Sequence, residues 1–227
     1  MSKLFERLRV GSGATAYPVV MGAGCFSADL LPRANGASSA IITNPRVGAL
    51  YARRVSAWLR AQGFAPRLIE IPDGEKYKTL ATAQRVYDQL LDARGDRHTT
   101  IFALGGGVIG DLAGWVAATF LRGVPLIQLP TTLLAMVDAS IGGKVAVDHP
   151  RGKNLIGTFY APRAVIADWD TLTTLPAAEW RAGMAEVVKH GIIGDAMLFE
   201  WLEQREWRLE IGDWIGRAAR VKVKIVT

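Results

Sequence analysis

"TTIFALGGGVIGDLAGWVAATFL", residues 99–121, decides the fold. Its first six residues form a nearly continuous apolar run, as in a strand buried on both faces. Three glycines follow, then a stretch with apolar residues at helical spacing. Gly105, Gly107 and Gly110 match G-x-G-x-x-G, directly after a strand and at the opening of a helix, the context that this fingerprint requires. Glycine lets backbone approach a pyrophosphate, and the helix start offers free N–H groups and the positive end of a dipole. A tight strand–helix turn with no ligand is the plain alternative. The motif is not in the chain's first strand–helix turn, and no acid stands about 20 residues on to hold a ribose. Asp111 follows at once instead.

Outward from this stretch, short apolar runs alternate with helix-period segments. "SSAIIT" reads as a strand and "VGALYARRVSAWLRAQG" as a helix closed by a C-terminal glycine. "PRLIEI" is the next strand, and "TLATAQRVYDQLLDAR" the next helix, with Thr79 as its cap. "VPLIQLP" is the strand after the glycine turn. This alternation predicts an α/β fold, a Rossmann-like parallel sheet covered on both faces. "YPVVMG" near the start is expected to add a peripheral strand or hairpin. From Ala177 onward the pattern is helix after helix, with Trp180, Trp201, Trp207 and Trp214 available for packing. The chain is therefore divided near Pro176, into residues 1–176 (an α/β nucleotide-binding domain) and 177–227 (the first helices of a mostly helical domain).

Half of the 227 residues are hydrophobic, enough for a substantial core. The start, "MSKLFERLRV", is charged and has no apolar core of a signal peptide. The longest apolar run, "LAGWVAATFL", stops at Arg122 and is too short to span a bilayer. A single cysteine, Cys25, excludes an internal disulfide. A soluble cytoplasmic protein with no membrane partner is expected. The net charge of +6 suits anionic metabolites as well as nucleic acid. The basic residues are scattered without interleaved aromatics, so nucleic acid is not the expected partner.

Polar or glycine-rich loops follow four successive strands. Asn44 ends the first. Asp73, Gly74, Glu75, Lys76, Tyr77 and Lys78 follow the second, with Glu75 placed to hold ribose hydroxyls and Lys78 a phosphate or adenine-side group. Gly106, Gly107, Val108, Ile109, Gly110 and Asp111 follow the third, and Thr131 and Thr132 the fourth. Turn chemistry and helix capping account for any one of these loops. Together, beyond the carboxyl ends of one sheet, they favour a dinucleotide.

Downstream, "MVDASIGGKVAVDHPRGKNLIGTFYAP" gathers Asp138, Lys144, Lys153 and Asn154 around glycines. The lysines and the amide suit phosphate, and Arg122 is a further candidate. The Gly142–Gly143 pair implies a bent backbone presenting Lys144. His149 is expected to be exposed and idle. In "AGMAEVVKHGII", Glu186, Lys189 and His190 share one helical face. A metal site, an acid–base site and a salt-bridged surface are all compatible with that spacing.

Three ordered motifs, "GGGVIGDLAGWVAATFLRGVPLIQLPTTLLAMVDASIGGK", "GKNLIGTFYAP" and "AEVVKHG", closely resemble the 3-dehydroquinate synthases of the sugar phosphate cyclase family. The resemblance implies conversion of 3-deoxy-arabino-heptulosonate 7-phosphate to 3-dehydroquinate and phosphate, a step of the shikimate pathway. It implies catalytic NAD, one divalent metal (zinc first, cobalt second), a nucleotide-binding domain followed by a helical one, and a homodimer. By resemblance, Asp73–Lys78, Gly106–Asp111, Thr131, Thr132, Lys144, Lys153 and Thr171, Leu172, Thr173 and Thr174 bind NAD. Asp138, Lys144, Asn154 and Lys189 hold an anionic sugar phosphate. Arg122 reaches its phosphate across the dimer, and Glu186 is a metal ligand. The implied chemistry is oxidation of a hydroxyl, elimination of phosphate, re-reduction, ring opening and aldol closure.

A catalytic zinc takes three protein ligands, and in this family two histidines from a later helical segment join the glutamate. This chain has His98, His149 and His190, none in such a segment. The resemblance places His190 beside the site without making it a ligand. The chain is accordingly expected to be the N-terminal portion of the enzyme, able to bind NAD and unable to turn over. Its last segment, "WIGRAARVKVKIVT", carries an apolar stripe expected to lack partners and to drive association. Related readings are another sugar phosphate cyclase, an NAD-dependent polyol dehydrogenase, and a non-catalytic nucleotide-binding domain.

Overall fold

The computed structural model describes residues 6–31, 34, 37–204 and 211–227. Trp207, expected to take part in packing, lies outside them. The backbone of the molecule is a seven-stranded sheet in the order β1-β2-β9-β6-β5-β3-β4. These strands are β1 (Glu6–Val10), β2 (Tyr17–Gly22), β3 (Ala37–Thr43), β4 (Phe64–Glu70), β5 (Thr100–Gly105), β6 (Leu126–Pro130) and β9 (Ala164–Asp168). All neighbours pair parallel except β1 with β2. β5, β6 and β9 are buried at every residue, as unbroken apolar runs at the centre of a two-sided sheet should be.

Side chains of β5 divide with the period of two that a strand imposes. Phe102 and Leu104 enter one core with Val55, Trp58 and Leu59 of α2 (Arg53–Ala61). Ile101 and Ala103 enter the opposite core with α3 (Leu80–Asp92) and α4 (Gly107–Thr119). α2 continues from α1 (Pro45–Val47) through a π-helical turn at Gly48–Ala52. Asn44 and Thr79 cap α1 and α3, accepting from the backbone N–H groups of Val47 and Thr82. The expected helix-closing glycine is Gly63, at φ +89°.

Three features differ from the sequence reading. "YPVVMG" joins a hairpin at the sheet's edge, as one of the expected alternatives, but it is not the outer strand: β2 lies inside against β9, and β1 forms the edge. The polar segment around the glycines is a hairpin of β7 (Lys144–His149) and β8 (Gly152–Phe159), laid on α4 through Val145 and Val147. A Cβ at Gly114 of α4 would overlap Val145. Gly142 and Gly143, both left-handed, turn the chain into β7.

The third difference concerns the last helices, α5 (Ala177–Gly194), α6 (Ala196–Glu203) and α7 (Ile211–Val226). α7 does not present an unpartnered stripe: Ile215, Ala218, Ala219 and Val221 are buried. They share a core with Val19 and Met21 of β2, Val165 and Ala167 of β9, and Val187 of α5. Beyond Pro176 the helices cover the β9–β2–β1 end of the sheet. Trp180 meets Trp214 with ring centroids 6.2 Å apart, and Arg217 lies over Trp201.

Asp195 ties these helices together. It accepts from Leu198 N–H at the start of α6 and holds Arg217 of α7 through both carboxylate oxygens, at 2.6 and 2.8 Å. The Arg217 bonds, reinforced by the cap, hold its pKa below the ordinary aspartate value. A depressed carboxylate pKa stabilises the fold above the unfolded-state pKa, and that stability is lost as pH falls through the folded value. Asp195→Ala is therefore expected to cost about 1–2 kcal/mol near neutrality. The gap from the native chain should close as the denaturation midpoint is followed into acid. A gap that stays constant to low pH contradicts this account.

Candidate functional site

Strand order reverses at β3: the chain passes from β3 to β4 on one side, then returns to β5 on the other. Loops leaving β3 and β5 therefore diverge, and ligands of open α/β sheets bind in the crevice so formed. A cleft of about 570 Å³ opens there. It is lined by Asn44, Asp73, Gly74, Glu75, Lys78, Gly106, Gly107, Val108, Ile109, Asp111, Thr131, Thr132, Thr171 and Thr174. Loops from five places in the sequence thus converge as the sequence reading expected.

The N-terminus of α4 points into this cleft. Gly106 is its cap residue and supplies no side chain to the first-turn N–H groups. The glycines of the turn do different things. A Cβ at Gly105 would lie 2.7 Å from Ile109 Cγ1, and one at Gly110 would lie 3.0 Å from Gln128 Oε1. Those two allow close packing of helix on strand. A Cβ at Gly107 would meet only Ala139, at an ordinary 3.5 Å. Protein packing does not require glycine there, but an approaching ligand would.

Several expected cofactor residues lie apart from the cleft. Leu172 is buried in the core beside β9. Thr173 is exposed and bonds the Asp170 carbonyl. Lys76 and Tyr77 face one another, ammonium over ring at 5.0 Å. Lys153 is exposed and reaches Glu75 at 3.5 Å. Lys78 lines the cleft, but its ammonium is engaged by protein: Asn154 Oδ1 at 2.6 Å, and Asp111 and Glu75 each at 3.2 Å. Burial works against its charge, but those carboxylates outweigh burial and hold its pKa above the ordinary lysine value. Asp111 is shifted up by burial, against the pull of Lys78. Lys78, expected to meet a phosphate or an adenine-side group, thus reaches the cleft wall with its ammonium in an internal ion-pair network.

A second cavity, about 510 Å³, adjoins the first. Asp111 and Ala139 line both. Asp138, Lys144, Asn154, Thr158 and Lys222 are among its other polar residues, and Leu155 and Phe159 of β8 lie on its apolar side. Lys222, from α7, donates to Asp138 at 2.7 Å. The sequence reading missed it because nothing local links "RVKVK" to a loop 84 residues earlier. Arg46, Tyr51 and Glu179 also line the cleft and were not singled out. Tyr51 bonds Thr171 and Thr174, joining the helix after β3 to the turn after β9.

Asp138, Glu186 and His190 bring two carboxylates and an imidazole within 4.8 Å of one another. Lys189 forms an ion pair with Glu186. That contact raises the Lys189 pKa. His190 is buried, and its Nδ1 has no hydrogen-bond partner among the described residues. Burial, helped by Lys189, holds its pKa below the ordinary histidine value despite Asp138 and Glu186. His190, set aside as a ligand in the sequence reading, thus stands within reach of the same point as Glu186. His149 is exposed and accepts from Arg151 N–H. Arg122 lies in neither cavity. It closes a 3-10 turn after the C-terminus of α4, a 13-residue helix and so about 20 Å from the glycine turn.

The architecture is that of the Rossmann-like sugar phosphate cyclases. A 2-deoxy-scyllo-inosose synthase, solved with carbaglucose-6-phosphate, NAD+ and Co2+, superposes with a TM-score of 0.83 at 25% identity, over 97% of this chain and 63% of its own. A 2-epi-5-epi-valiolone synthase from Streptomyces hygroscopicus, with NAD+ and Zn2+ bound, gives 0.82 at 29%, over 96% and 63%. An iron-containing alcohol dehydrogenase shares the fold at 12% identity, TM-score 0.72, over 99% and 69%. The family model described as 3-dehydroquinate synthase N-terminal matches residues 68–182. The 3-dehydroquinate synthase of Pelotomaculum thermopropionicum is 47% identical over 97% of this chain and 62% of its own length. That of Pelobacter propionicus is 52% identical over 89% and 57%. The chain belongs to the 3-dehydroquinate synthase family. It spans about three-fifths of the length of these relatives.

Proposed function

We propose that this chain carries the nucleotide cleft, the larger part of the substrate cavity and one metal ligand of a cytoplasmic, homodimeric 3-dehydroquinate synthase, a phosphate-eliminating lyase of the shikimate pathway. The observation that carries this reading is the joining of the two cavities at Asp111 and Ala139. A dinucleotide in the first would meet, at that junction, whatever the second holds.

The residues present fit both groups that the reading needs. The uncapped start of α4 and the open side of Gly107 fit a pyrophosphate. The Glu186 carboxylate fits one position on a divalent cation, zinc or cobalt, while Asp138 beside it is already held by Lys222. When bound, NAD would supply hydride acceptance and return, and the metal Lewis-acid polarisation of substrate oxygens. The chain's own part is to bind and orient. Lys144, Lys222 and Asn154 offer cationic and amide donors to an anionic sugar phosphate. Asp138, held by Lys222, presents an acceptor to a hydroxyl. Lys189 is placed to exchange Glu186 for substrate when a cation takes that carboxylate. Arg122 is too far along α4 to serve its own chain's cavity, which agrees with service across a dimer.

Of the three histidines only His190 stands at the metal donors, and we infer that the 227 residues alone bind NAD without sustained turnover. Calorimetry with NAD should give one site per chain. A phosphate-release assay with the heptulosonate phosphate, NAD and zinc should show no steady state. Steady phosphate release without NADH would overturn the inference of inactivity and uphold the cyclase. Accumulating NADH would replace the cyclase with a polyol dehydrogenase, and absence of NAD binding would leave a non-catalytic domain.

A further inference from the structure

We infer that Lys78 and Asp148 form a latch tying the loop of the nucleotide cleft to the hairpin of the second cavity, with Asp148 as a positioning residue. Asp148 lines neither cavity. Yet it makes four links from near the end of β7. Its backbone N–H donates to the Lys78 carbonyl at 2.7 Å, and it pairs with Thr79 as an isolated parallel bridge. Its carboxylate accepts from Asn154 N–H at 2.8 Å and stands 3.7 Å from the Lys78 ammonium. Asn154 is held at φ +58°, a left-handed conformation that asparagine tolerates better than most residues, and its side chain completes the loop by accepting from Lys78 at 2.6 Å.

The cycle runs Lys78–Asn154–Asp148–Lys78. Lys78 lines the cleft and Asn154 the second cavity, so moving one end displaces the other. Lys78 is 3% exposed, and among the described residues its charge is compensated by this cycle with Glu75 and Asp111. Releasing the hairpin would leave that ammonium short of partners in a buried place, which makes the closed arrangement cooperative. Ordering of the loop by a nucleotide is thereby transmitted to Asn154, and coupling of this kind is reciprocal. The second arm of the test rests on the nucleotide reading; the first does not.

Hydrogen exchange of the 227-residue chain tests it. Without ligand, Asp148→Ala should speed exchange at residues 73–79 about tenfold, leaving β5 and β9 within about twofold. Asp148→Asn, which keeps an acceptor oxygen, should restore most of the protection. Lys78→Met should in turn speed exchange at residues 152–156. With NAD, protection should reach residues 152–156 in the native chain and fail to reach them in Asp148→Ala. The latch is overturned if Asp148→Ala leaves residues 73–79 unchanged, if it speeds the whole sheet alike, or if NAD protects residues 152–156 equally in both chains. If NAD protects neither 73–79 nor 106–111, the nucleotide reading fails, and the ligand-free arm still decides the latch.

Discussion

Gly107→Val is expected to weaken NAD binding at least about a hundredfold, near 3 kcal/mol, while the melting temperature stays within about 2 °C of the native chain. The two halves of that result come from the same geometry. Gly107 is the first residue of α4, its backbone torsions suit any residue, and the only neighbour a Cβ would meet is Ala139 at 3.5 Å. The fold therefore accepts a side chain there. The branched methyl groups would instead occupy the mouth of the cleft, where a pyrophosphate must approach the first-turn N–H groups. Gly105→Ala is the instructive contrast. Its added Cβ would sit 2.7–2.8 Å from Ile109 Cγ1 and Cβ, so strain in the strand–helix turn should lower stability by about 1–3 kcal/mol. Calorimetric titration with NAD beside thermal melts separates the two. Native-like affinity in Gly107→Val would remove the glycine turn from the nucleotide site.

That pair of variants also shows where a sequence can be read and where it stops. The motif announces that glycines are needed and that a helix follows, because strand burial, helix period and turn chemistry are local properties. Which glycine serves packing and which serves a ligand depends on Ile109, Gln128 and Ala139, and only the folded chain brings them to bear. The same division runs through the rest of the molecule. Thr79 was legible as a cap, since its partner is three residues away. The docking of α7 was not, because its stripe is answered by β1, β2 and β9, far back in the chain. Lys78 was legible as a cation beyond a strand end, but its pairing with Asp111 and Asn154 was not. Lys222 and His190 join the site only because helices α5 and α7 fold back over the π-helical turn Ala135–Ala139. Lys222 has no local signature to separate it from an ordinary surface lysine, and the spacing that put His190 on one face with Glu186 could not show Asp138 beside them.

Asp168 is the extreme case of a residue that only the fold explains, and replacing it should cause the largest loss of stability. It ends β9 with its side chain at 0% exposure. The carboxylate accepts from Gly24 N–H at 2.9 Å, Phe26 N–H at 3.0 Å, Asp170 N–H at 3.2 Å and the Arg54 guanidinium at 2.9 Å. One side chain thus fixes the turn after β2, the turn after β9 and a helix on the sheet face. Asp168→Ala strands two buried backbone donors, each costing about 1–3 kcal/mol, and a loss of about 3–5 kcal/mol is expected from denaturant unfolding. Arg54→Ala should cost less, about 1–2 kcal/mol, because Arg54 is 40% exposed and water shares its charge. The order of the two losses is the test: equal losses would mean that the ion pair, and not the backbone donors, is what Asp168 is buried to serve. A consequence for the site follows from position. The turn that Asp168 caps carries Thr171 and Thr174, which line the cleft and hold Tyr51. Asp168→Ala should therefore also weaken NAD binding, in proportion to its loosening of that wall. In Arg54→Ala the backbone bonds of the turn persist, so its affinity should stay near native.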